Sequence, residues 1–390
     1  MNRIILIGNG FDLAHGLKTS YADFIDWYWE KMGLTILKES SKNIVSDELC
    51  SFTLQPSKFY FTWFQFWSGH YIKKDNPFNP WEGKEVVKIA KENKSLCQFK
   101  YKSDFFEQIN KYYEKGWVDI ENEYYTQLLI SLKNEYTFSK YTNNPAKLNN
   151  ELSFIQEKLI EYLKEVQGGI SKNMVIDEIR QKMKAEFSVQ DISVNFKKQF
   201  LEARKKFWGS LGKETPYTPQ RTFVLNFNYT TLADLYFKEV THIHGNINEP
   251  ASVIFGYGDE LDEKYKTIVN KNENEYLRNV KSVKYLEHAN YRNMLEFIES
   301  APFQIFIMGH SCGNSDRTLL NTLFEHRNCV SIKPFYYIKD DGSDNYIELV
   351  QNISRNFTDM KLMRNRVVNK KFCEPLLSKD TTQSTGEESK

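Results

Sequence analysis

The sequence has few cysteines, almost no net charge and no long apolar run. Its five cysteines are scattered over 390 residues without close pairs, which argues against a disulfide framework and against paired zinc ligands. The net charge of +1 argues against nucleic acid as a partner, and the apolar run at residues 303–308 is too short to cross a membrane. A strand predicted from residue 3 leaves no room for a secretory signal, so we expect a cytoplasmic protein with reduced thiols.

The Gly-x-x-x-x-Gly-Lys pattern of a phosphate-binding P-loop is also missing. The sequence instead contains four short clusters of Gly, Asn and His, three of which follow apolar, β-prone runs. These clusters lie at residues 8–12, 226–230, 242–246 and 309–311. Buried parallel strands are unbroken apolar runs, and ligands of α/β sheets bind beyond the carboxyl ends of such strands. The pattern therefore predicts one nucleotide-type site built from segments that are distant in sequence.

The N-terminal region follows the order strand, glycine loop, helix. A buried strand is predicted at residues 3–7 and a loop at 8–17. Ser20 and Asp23 form a capping-box pattern at the start of a helix, which Gly33 can end. This order is half of a dinucleotide-binding unit.

Strand and helix patterns alternate again from residue 216 to 375, which predicts an α/β fold with a Rossmann-like parallel sheet formed with residues 1–40. The further strands are expected at residues 222–226, 240–244, 252–257, 303–308 and 329–338, and helices near 231–238, 284–299, 316–327 and 346–357. Residues 376–390 lack apolar periodicity and are expected to form a disordered tail.

Residues 41–215 do not continue the sheet pattern. They are polar, helical in pattern and rich in aromatics, with a dense aromatic block at 59–72 and a further tryptophan at Trp81, which predicts a large, mainly helical insertion. Large aromatics favour interfaces, so this insertion is a candidate for regulation and self-association. The alternative is that the aromatics, Trp63 and Trp67 among them, only fill a local core.

The residues of the first cluster have both a functional and a structural interpretation. Gly8, Asn9 and Gly10 let the backbone approach a phosphate or ribose closely, or they serve only the turn from strand to helix. Asp12 accepts hydrogen bonds either from ribose hydroxyls or from local backbone, and His15 is either a ligand contact or a packed loop histidine.

The remaining clusters supply the candidate catalytic groups. Asn228 can hold a water or a ribose hydroxyl, or it caps the following helix. His244, followed by Gly245, is either a general base or a core histidine. His242 lies on the same strand face, but no further ligand completes a metal site, so no metal is expected. Asp316 is placed to interact with a helix dipole.

The order of the clusters carries a resemblance that no single cluster does. Residues 6–24 closely resemble the N-terminal signature of the AbiH family of bacteriophage abortive-infection proteins. Residues 225–230, 242–246 and 309–316 resemble the C-terminal signature of that family in the same order. The resemblance implies a phage-defence role.

The same clusters more distantly resemble the NAD-binding motifs of sirtuin-type domains. Gly8-Asn9-Gly10 matches their Gly-Ala-Gly loop, and Gly16-Leu17 matches the Gly-Ile segment before their first helix. Asn228 falls on their catalytic asparagine and His244 on their general base, and Gly309-His310-Ser311 matches their Gly-Thr-Ser. Thr230 stands where they have an acidic residue, and their zinc-binding cysteine pairs are absent, so the resemblance implies NAD binding or hydrolysis rather than deacylation.

The sequence thus predicts a phage-defence effector with a sirtuin-like core that binds NAD and hydrolyses its nicotinamide–ribose bond, with Asn228 and His244 as catalytic residues. The expected NAD-binding residues are Gly8, Asn9, Gly10, Asp12, His15, Gly245, Gly309, His310, Ser311 and Asp316. The alternative is a non-catalytic nucleotide sensor that acts through the insertion. In either case a phage-derived trigger or a second copy of the chain is the expected partner.

Overall fold

The computed structural model describes residues 1–39, 41–55, 83–116, 119–134 and 144–378. Contacts divide the chain into two compact units, one formed by Met1–Thr19 with Leu163–Lys390 and the other by Ser20–Tyr162. The division falls near residues 19 and 162, whereas the sequence analysis places boundaries near 40 and 215. The aromatic block at 59–72 and Trp81 lie outside the described residues.

The described residues form strands and helices, with a run of five consecutive α-helices from Asp104 to Leu211. The strands are β1 (Asn2–Ile7), β2 (Ile44–Ser46), β3 (Cys50–Leu54), β4 (Cys97–Tyr101), β5 (Thr222–Asn226), β6 (Thr241–His242), β7 (Phe303–Met308) and β8 (Cys329–Phe335). The α-helices span Asn9–Ala14 (α1), Tyr21–Lys38 (α2), Gly83–Glu92, Asp104–Tyr113, Ile120–Asn134, Pro145–Gln167, Asp177–Lys184, Lys197–Leu211, Glu263–Asn270, Lys281–Lys284, Asn290–Ser300, Arg317–Phe324, Tyr346–Arg355 and Met360–Arg366.

The first unit is built on a five-stranded parallel sheet in the order β6-β5-β1-β7-β8. β1 lies in the middle, with Ile5 opposite Val224 of β5 and Phe306 of β7. All six residues of β1 and of β7 are buried, as the unbroken apolar runs predict. The parallel α/β sheet is confirmed.

Alternate residues of the strands pack into separate clusters on the two faces of the sheet. Ile4 and Leu6 belong to a cluster with the helices Asn290–Ser300, Arg317–Phe324 and Tyr346–Arg355. Ile5 and Ile7 belong to the other cluster, which includes Ile179 and Met183 from the helix Asp177–Lys184. Because successive side chains point to opposite faces, both faces of β1 are covered.

Several predicted elements differ from the observed ones. The predicted loop at 8–17 contains the short helix α1, and the predicted helix at 231–238 is only a 3₁₀ turn at Leu232–Leu235. The strand expected at 252–257 is wrong: a 3₁₀ turn occupies Pro250–Ser252, because proline at this position starts a turn and cannot donate to a strand ladder.

Residues 376–378, expected in the disordered tail, are packed in the first unit. Leu376 is buried in the cluster with Ile5 and donates its main-chain N–H to the carbonyl of Tyr336. Residues 379–390 lie outside the described residues.

The second unit contains an antiparallel sheet in the order β2-β3-β4, which the sequence analysis does not predict. Its helix α2 begins with the predicted capping box between Ser20 and Asp23. The predicted end at Gly33 is wrong, because α2 continues to Lys38 and Gly33 touches the backbone of Gly83 in the next described helix. Across the described ranges, no helix is long and apolar enough to span a bilayer.

Candidate functional site

Four polar residues stand two positions beyond the ends of neighbouring strands. Asn9 follows β1, Asn228 follows β5, His244 follows β6 and His310 follows β7. The strand ends are register partners, since Ile7 pairs with both Asn226 and Met308, and Asn226 pairs with His242. The predicted catalytic residues therefore leave the sheet at the same edge, which is the edge where parallel sheets bind ligands.

Asn228 is the centre of a buried group of hydrogen bonds that we call the asparagine cluster. Its amide Nδ2 donates to Asp12 Oδ1 at 2.7 Å and to the Gly8 carbonyl oxygen at 3.1 Å. Both amide hydrogens are thereby used, because an amide NH₂ has two. Asn228 Oδ1 is left as the acceptor, and a rotated amide would place an oxygen against two other oxygens.

Asp12 completes the asparagine cluster beneath Asn228. Its second oxygen accepts a hydrogen bond of 2.5 Å from the Thr230 hydroxyl, and the side chain is 1% exposed. Burial raises the pKa of Asp12 to about 6, although the hydrogen bonds from Thr230 and Asn228 oppose the rise. Both carboxylate oxygens are thus bonded to protein side chains, whereas the sequence left Asp12 with two possible partners, ribose hydroxyls or local backbone.

Asn226 and His242 extend this cluster along the sheet edge. Asn226 Oδ1 accepts the main-chain N–H of Asn228 at 3.0 Å, and its Nδ2 lies 3.2 Å from His242 Nδ1. The other ring nitrogen of His242 lies 3.1 Å from Asp234. These bonds brace the loop that carries Asn228.

A second group of buried side chains, the Asp316 cluster, contains His244. The Asp316 carboxylate is 2.8 Å from the Lys281 ammonium and 3.2 Å from His244 Nε2 through Oδ1, and 3.5 Å from His310 Nε2 through Oδ2. The hydroxyl of Tyr285 lies 3.1 Å from His244 Nε2, and the two rings are parallel to within 2°. The Phe227 ring contacts both His244 and His310.

The charges of the Asp316 cluster shift the pKa values of its members in opposite directions. Burial and the neighbouring Lys281 ammonium lower the pKa of His244 to about 4. Burial alone would raise the pKa of Asp316, but Lys281 and then His244 outweigh it and hold that pKa well below its usual range. At neutral pH the imidazole is neutral and the carboxylate is ionised.

The glycines of the β1 and β7 loops pack against each other. A Cβ on Gly8 would lie 2.5 Å from His310 Cα, and a Cβ on Gly10 would lie 2.9 Å from the Gly309 carbonyl oxygen. Gly309 has a φ of +77°, and a Cβ there would lie 2.0 Å from the main-chain nitrogen of Phe11. The close approach seen at these glycines is therefore between two protein loops.

The other predicted binding residues are divided between the surface and the interior. Asn9 and Ser311 are exposed at the sheet edge, and Asn9 Oδ1 accepts a hydrogen bond from Thr19. His15 is buried between the Phe11 carbonyl and the Tyr236 hydroxyl, with which its ring nitrogens interact at 2.7 and 2.6 Å. Gly245 has a φ of +74° and touches the backbone of Ser252. His15 is thus a packed histidine in the structure.

Residues 309–313 read Gly-His-Ser-Cys-Gly, a spacing that matches the nucleophile elbow of serine hydrolases. In such an elbow the serine itself occupies the strained turn. Here the left-handed backbone belongs to Gly309 and to Cys312, at φ +54°, and Ser311 lies exposed between them. The pattern therefore lacks the geometry of an elbow.

Sequence reasoning missed Lys281, Tyr285 and a second buried ion pair. Asp259 is 4% exposed and forms an ion pair with Arg317 at 3.1 Å. Arg317 directly follows Asp316 in the chain. The run Gly256-Tyr257-Gly258-Asp259, which follows three apolar residues, is a signal that could have pointed to Asp259. Lys281 and Tyr285 have no such local signal, because only the fold brings them to the sheet edge.

An open cavity of about 470 Å³ borders the loops after β5 and β6. It is lined by Lys164, Gln167, Gly168, Ile247 and Asn248. Gln167 accepts the Thr231 main-chain N–H at 3.1 Å and donates to Asn248 at 2.7 Å. The cavity offers amide and ammonium groups to a ligand that reaches this edge.

No group of three or more His, Cys, Asp or Glu side chains is arranged to hold a metal ion within the ranges that the structure describes. The residues of both clusters are held instead by hydrogen bonds and by the Lys281 ion pair.

Comparison with known proteins gives one match. A family model described as Bacteriophage abortive infection AbiH matches residues 4–338, which include every residue of both clusters. No curated protein and no solved structure matches the chain.

Proposed function

The chain belongs to the AbiH family of bacteriophage abortive-infection proteins, and on that premise we propose that it acts in defence by binding NAD and hydrolysing the bond between nicotinamide and ribose. Membership of the family implies the role in abortive infection. The choice of NAD and of hydrolysis comes from the sheet edge and from the distant resemblance of its clusters to sirtuin-type domains.

The strand order supports a nucleotide ligand. Numbered along the chain within their own sheet, the five strands run 3-2-1-4-5, which is the order of the dinucleotide-binding Rossmann sheet. In such sheets the ligand binds beyond the carboxyl ends, where the strand order reverses. That point lies between β1 and β7, whose loops carry Gly8–Gly10 and Gly309–Ser311.

The observation that carries the proposal is the fixed amide of Asn228. Asp12 and the Gly8 carbonyl take both of its hydrogens, so Oδ1 is the atom of this amide that is left to accept a hydrogen bond from a ligand. The buried Asp12 carboxylate also polarises the amide, which makes Oδ1 a stronger acceptor. An acceptor held in this way orients a donor, such as a water or a ribose hydroxyl.

The proposed step is a hydrolysis. The water oxygen bonds to the C1′ carbon of ribose while the C1′–nitrogen bond breaks, and the electron pair of that bond leaves with nicotinamide. The water loses one proton, which neutral His244 accepts and passes to solvent, so the products are nicotinamide, ADP-ribose and one proton. Because the sugar is cation-like in the transition state, positioning and the negative charge of Asp12 supply the stabilisation.

Nicotinamide release by the purified protein tests the proposal. Asn228→Ala removes the oriented acceptor and is expected to lower kcat/KM about 100-fold or more. Asn270→Ala is the matched control, because Asn270 is an exposed asparagine at the end of another helix. Wild-type protein that consumes no NAD, whether purified or in infected cells, would overturn the proposal.

A second candidate is a nucleotide sensor without catalysis. What favours it is that Lys281 and Asp316 neutralise each other inside the protein and His244 is bonded to Asp316, so these groups are already paired with one another. If the protein is such a sensor, we expect calorimetry to show NAD binding and nicotinamide release to stay at background. For the insertion at residues 41–215, the partner that we propose is a phage-derived trigger or a second copy of the chain.

A further inference from the structure

Asp316 joins three segments that are distant in sequence. It ends the 3₁₀ turn Asn314–Asp316 after β7, Lys281 starts the short helix Lys281–Lys284, and His244 follows β6. Lys281 is 1% exposed and its ammonium donates to Asp316 Oδ1 at 2.8 Å. A buried lysine of this kind is rare unless it is paired.

The charge balance of this group determines the state of His244. The positive charge of Lys281 cancels the negative charge of Asp316, so a protonated His244 would add an unpaired positive charge to a buried site. The groups that face His244 are Lys281, Asp316, His310 and Tyr285. Burial and Lys281 dominate, and they keep the pKa of His244 near 4.

The hydrogen-bond geometry then determines the tautomer. An ionised carboxylate only accepts hydrogen bonds, so the nitrogen that faces it must carry a hydrogen. His244 faces Asp316 with Nε2, at 3.2 Å. A neutral imidazole carries one hydrogen, and with that hydrogen on Nε2 the lone pair is on Nδ1.

We propose that Asp316 and Lys281 are positioning residues that hold His244 as the neutral Nε2–H tautomer, so that Nδ1 accepts a hydrogen bond from a hydroxyl group of the ligand. Asp316 alone would attract a proton to the imidazole, and Lys281 prevents this. Asn228 Oδ1 and His244 Nδ1 are then both acceptors, which selects a ligand rich in hydroxyl donors, such as the ribose of a nucleotide. Only the identity of the ligand rests on the proposed function; the state of His244 does not.

Nitrogen-15 NMR of histidine-labelled protein measures the tautomer and the titration of each ring directly. His244→Gln identifies the His244 signals among the seven histidines. We expect the wild-type signals to show Nε2–H and no titration between pH 5.5 and 8. A wild-type His244 that carries its hydrogen on Nδ1, or that titrates near its usual pKa of about 6.5, would overturn the inference.

Three variants separate the two positioning residues. In Asp316→Leu the carboxylate acceptor beside His244 Nε2 is removed, so the Tyr285 hydroxyl can donate to that nitrogen and the ring is expected to switch to the Nδ1–H tautomer. In Lys281→Met the carboxylate is uncompensated, and the pKa of His244 is expected to rise by more than one unit. Lys281→Arg restores the charge and should restore the wild-type titration.

Lys281→Met leaves Asp316 buried and unpaired, which can prevent folding. The double variant Lys281→Met with Asp316→Leu removes both charges, and it is expected to show the same Nδ1–H tautomer as Asp316→Leu. An unchanged tautomer in both Asp316→Leu and the double variant, or an unchanged titration in Lys281→Met, would contradict the positioning role.

NAD turnover by the same variants distinguishes this inference from the proposed function. If the wild-type protein hydrolyses NAD, Asp316→Leu should lower kcat about 100-fold or more with little change in KM, as expected for a base held in the wrong tautomer. If the NMR results hold and no NAD is consumed, the proposed function fails and the positioning inference stands. If NAD is consumed but the NMR results are not as expected, the proposed function stands and the positioning inference fails.

Discussion

At Asp12, the effect of a negative charge can be separated by mutation from the effect of orienting the Asn228 amide. Asp12 both fixes the Asn228 amide and carries a buried negative charge. Asp12→Asn removes the charge and keeps an oxygen that accepts the hydrogen bond from Asn228. The hydrogen bond with Thr230 reverses, because the new amide nitrogen donates to the hydroxyl from which Asp12 accepts. Asp12→Ala removes both the charge and the acceptor.

We therefore expect the two variants to differ. NAD hydrolysis should fall about 10-fold in Asp12→Asn and about 100-fold or more in Asp12→Ala, because only the second variant frees the amide to rotate. The measurement is kcat for nicotinamide release, with thermal unfolding as the control for folding. Equal losses in the two variants would mean that the charge, and not the orientation, is what Asp12 supplies.

Single residues also show where sequence reasoning succeeded and where it stopped. Asn228 was predicted because it follows an apolar run, and His244 because it ends a predicted strand; the sheet brings those two strands into register. Lys281 was not predicted, because a lysine in a polar stretch is ordinarily exposed and only the fold pairs it with Asp316. The sequence also does not indicate that the protein itself occupies both oxygens of Asp12.

At the scale of elements, the turns that join strands and helices were the least predictable. β1, β5 and β7 were predicted as buried apolar runs, and the start of α2 was predicted by its capping box. The prediction that α2 ends at Gly33 was wrong, because a glycine inside a helix cannot be told from a glycine after its end by sequence alone. Tertiary packing against Gly83 explains Gly33 instead.

Gly33 allows α2 to touch the helix that begins at Gly83. A Cβ on Gly33 would lie 1.9 Å from the Gly83 carbonyl oxygen. Gly33→Ala is expected to lower the free energy of unfolding by about 2–3 kcal/mol, as overpacking does, although alanine is the better helix former. Urea unfolding measures the change.

Gly209 is the matched control for Gly33. It lies inside the helix Lys197–Leu211, and an added Cβ there meets nothing within 4 Å. Gly209→Ala should raise the free energy of unfolding by about 0.5–1 kcal/mol. If both substitutions stabilise the protein, the contact between Gly33 and Gly83 is not a close one.

The interlocked loops after β1 and β7 give a second prediction at this scale. Gly309→Ala places a Cβ on a left-handed residue and against the main chain of Phe11, so we expect loss of soluble protein or destabilisation by about 3 kcal/mol or more. In the same loop, Gly313→Ala meets only the Ser311 hydroxyl at 3.7 Å and should be neutral. Soluble yield and thermal unfolding compare the two variants, and a tolerated Gly309→Ala would argue against the interlocking.

At the scale of the whole molecule, two buried groups make the stability depend on pH with opposite signs. The pKa of Asp12 is raised to about 6, so the folded protein binds a proton more readily than the unfolded chain between pH about 4 and 6. Its contribution to the free energy of unfolding therefore falls as pH rises through that window. The pKa of His244 is lowered to about 4, so the unfolded chain binds the proton more readily between about 4 and 6.5, and this contribution rises with pH.

Each contribution amounts to about 3 kcal/mol, and in the wild-type protein they largely cancel. Asp12→Asn should leave a free energy of unfolding that rises more steeply than wild type from pH 4.5 to 6.5. In His244→Gln, the free energy of unfolding should fall relative to that of the wild type as the pH rises from 4.5 to 6.5. Urea unfolding at four pH values tests both directions, and parallel pH profiles for all three proteins would contradict the assignment.

The central place of β1 in its sheet also has a consequence for biosynthesis. The ribosome makes β1 before every other strand of this sheet, yet its neighbour β5 begins at Thr222 and its neighbour β7 at Phe303. At roughly 5–20 residues per second, β1 waits about 15–60 s for its second partner, with at least one edge unpaired throughout. An unpaired edge is a hazard for aggregation during this interval, and the site, which needs both Asp12 and Asp316, cannot assemble before Asp316 has been made.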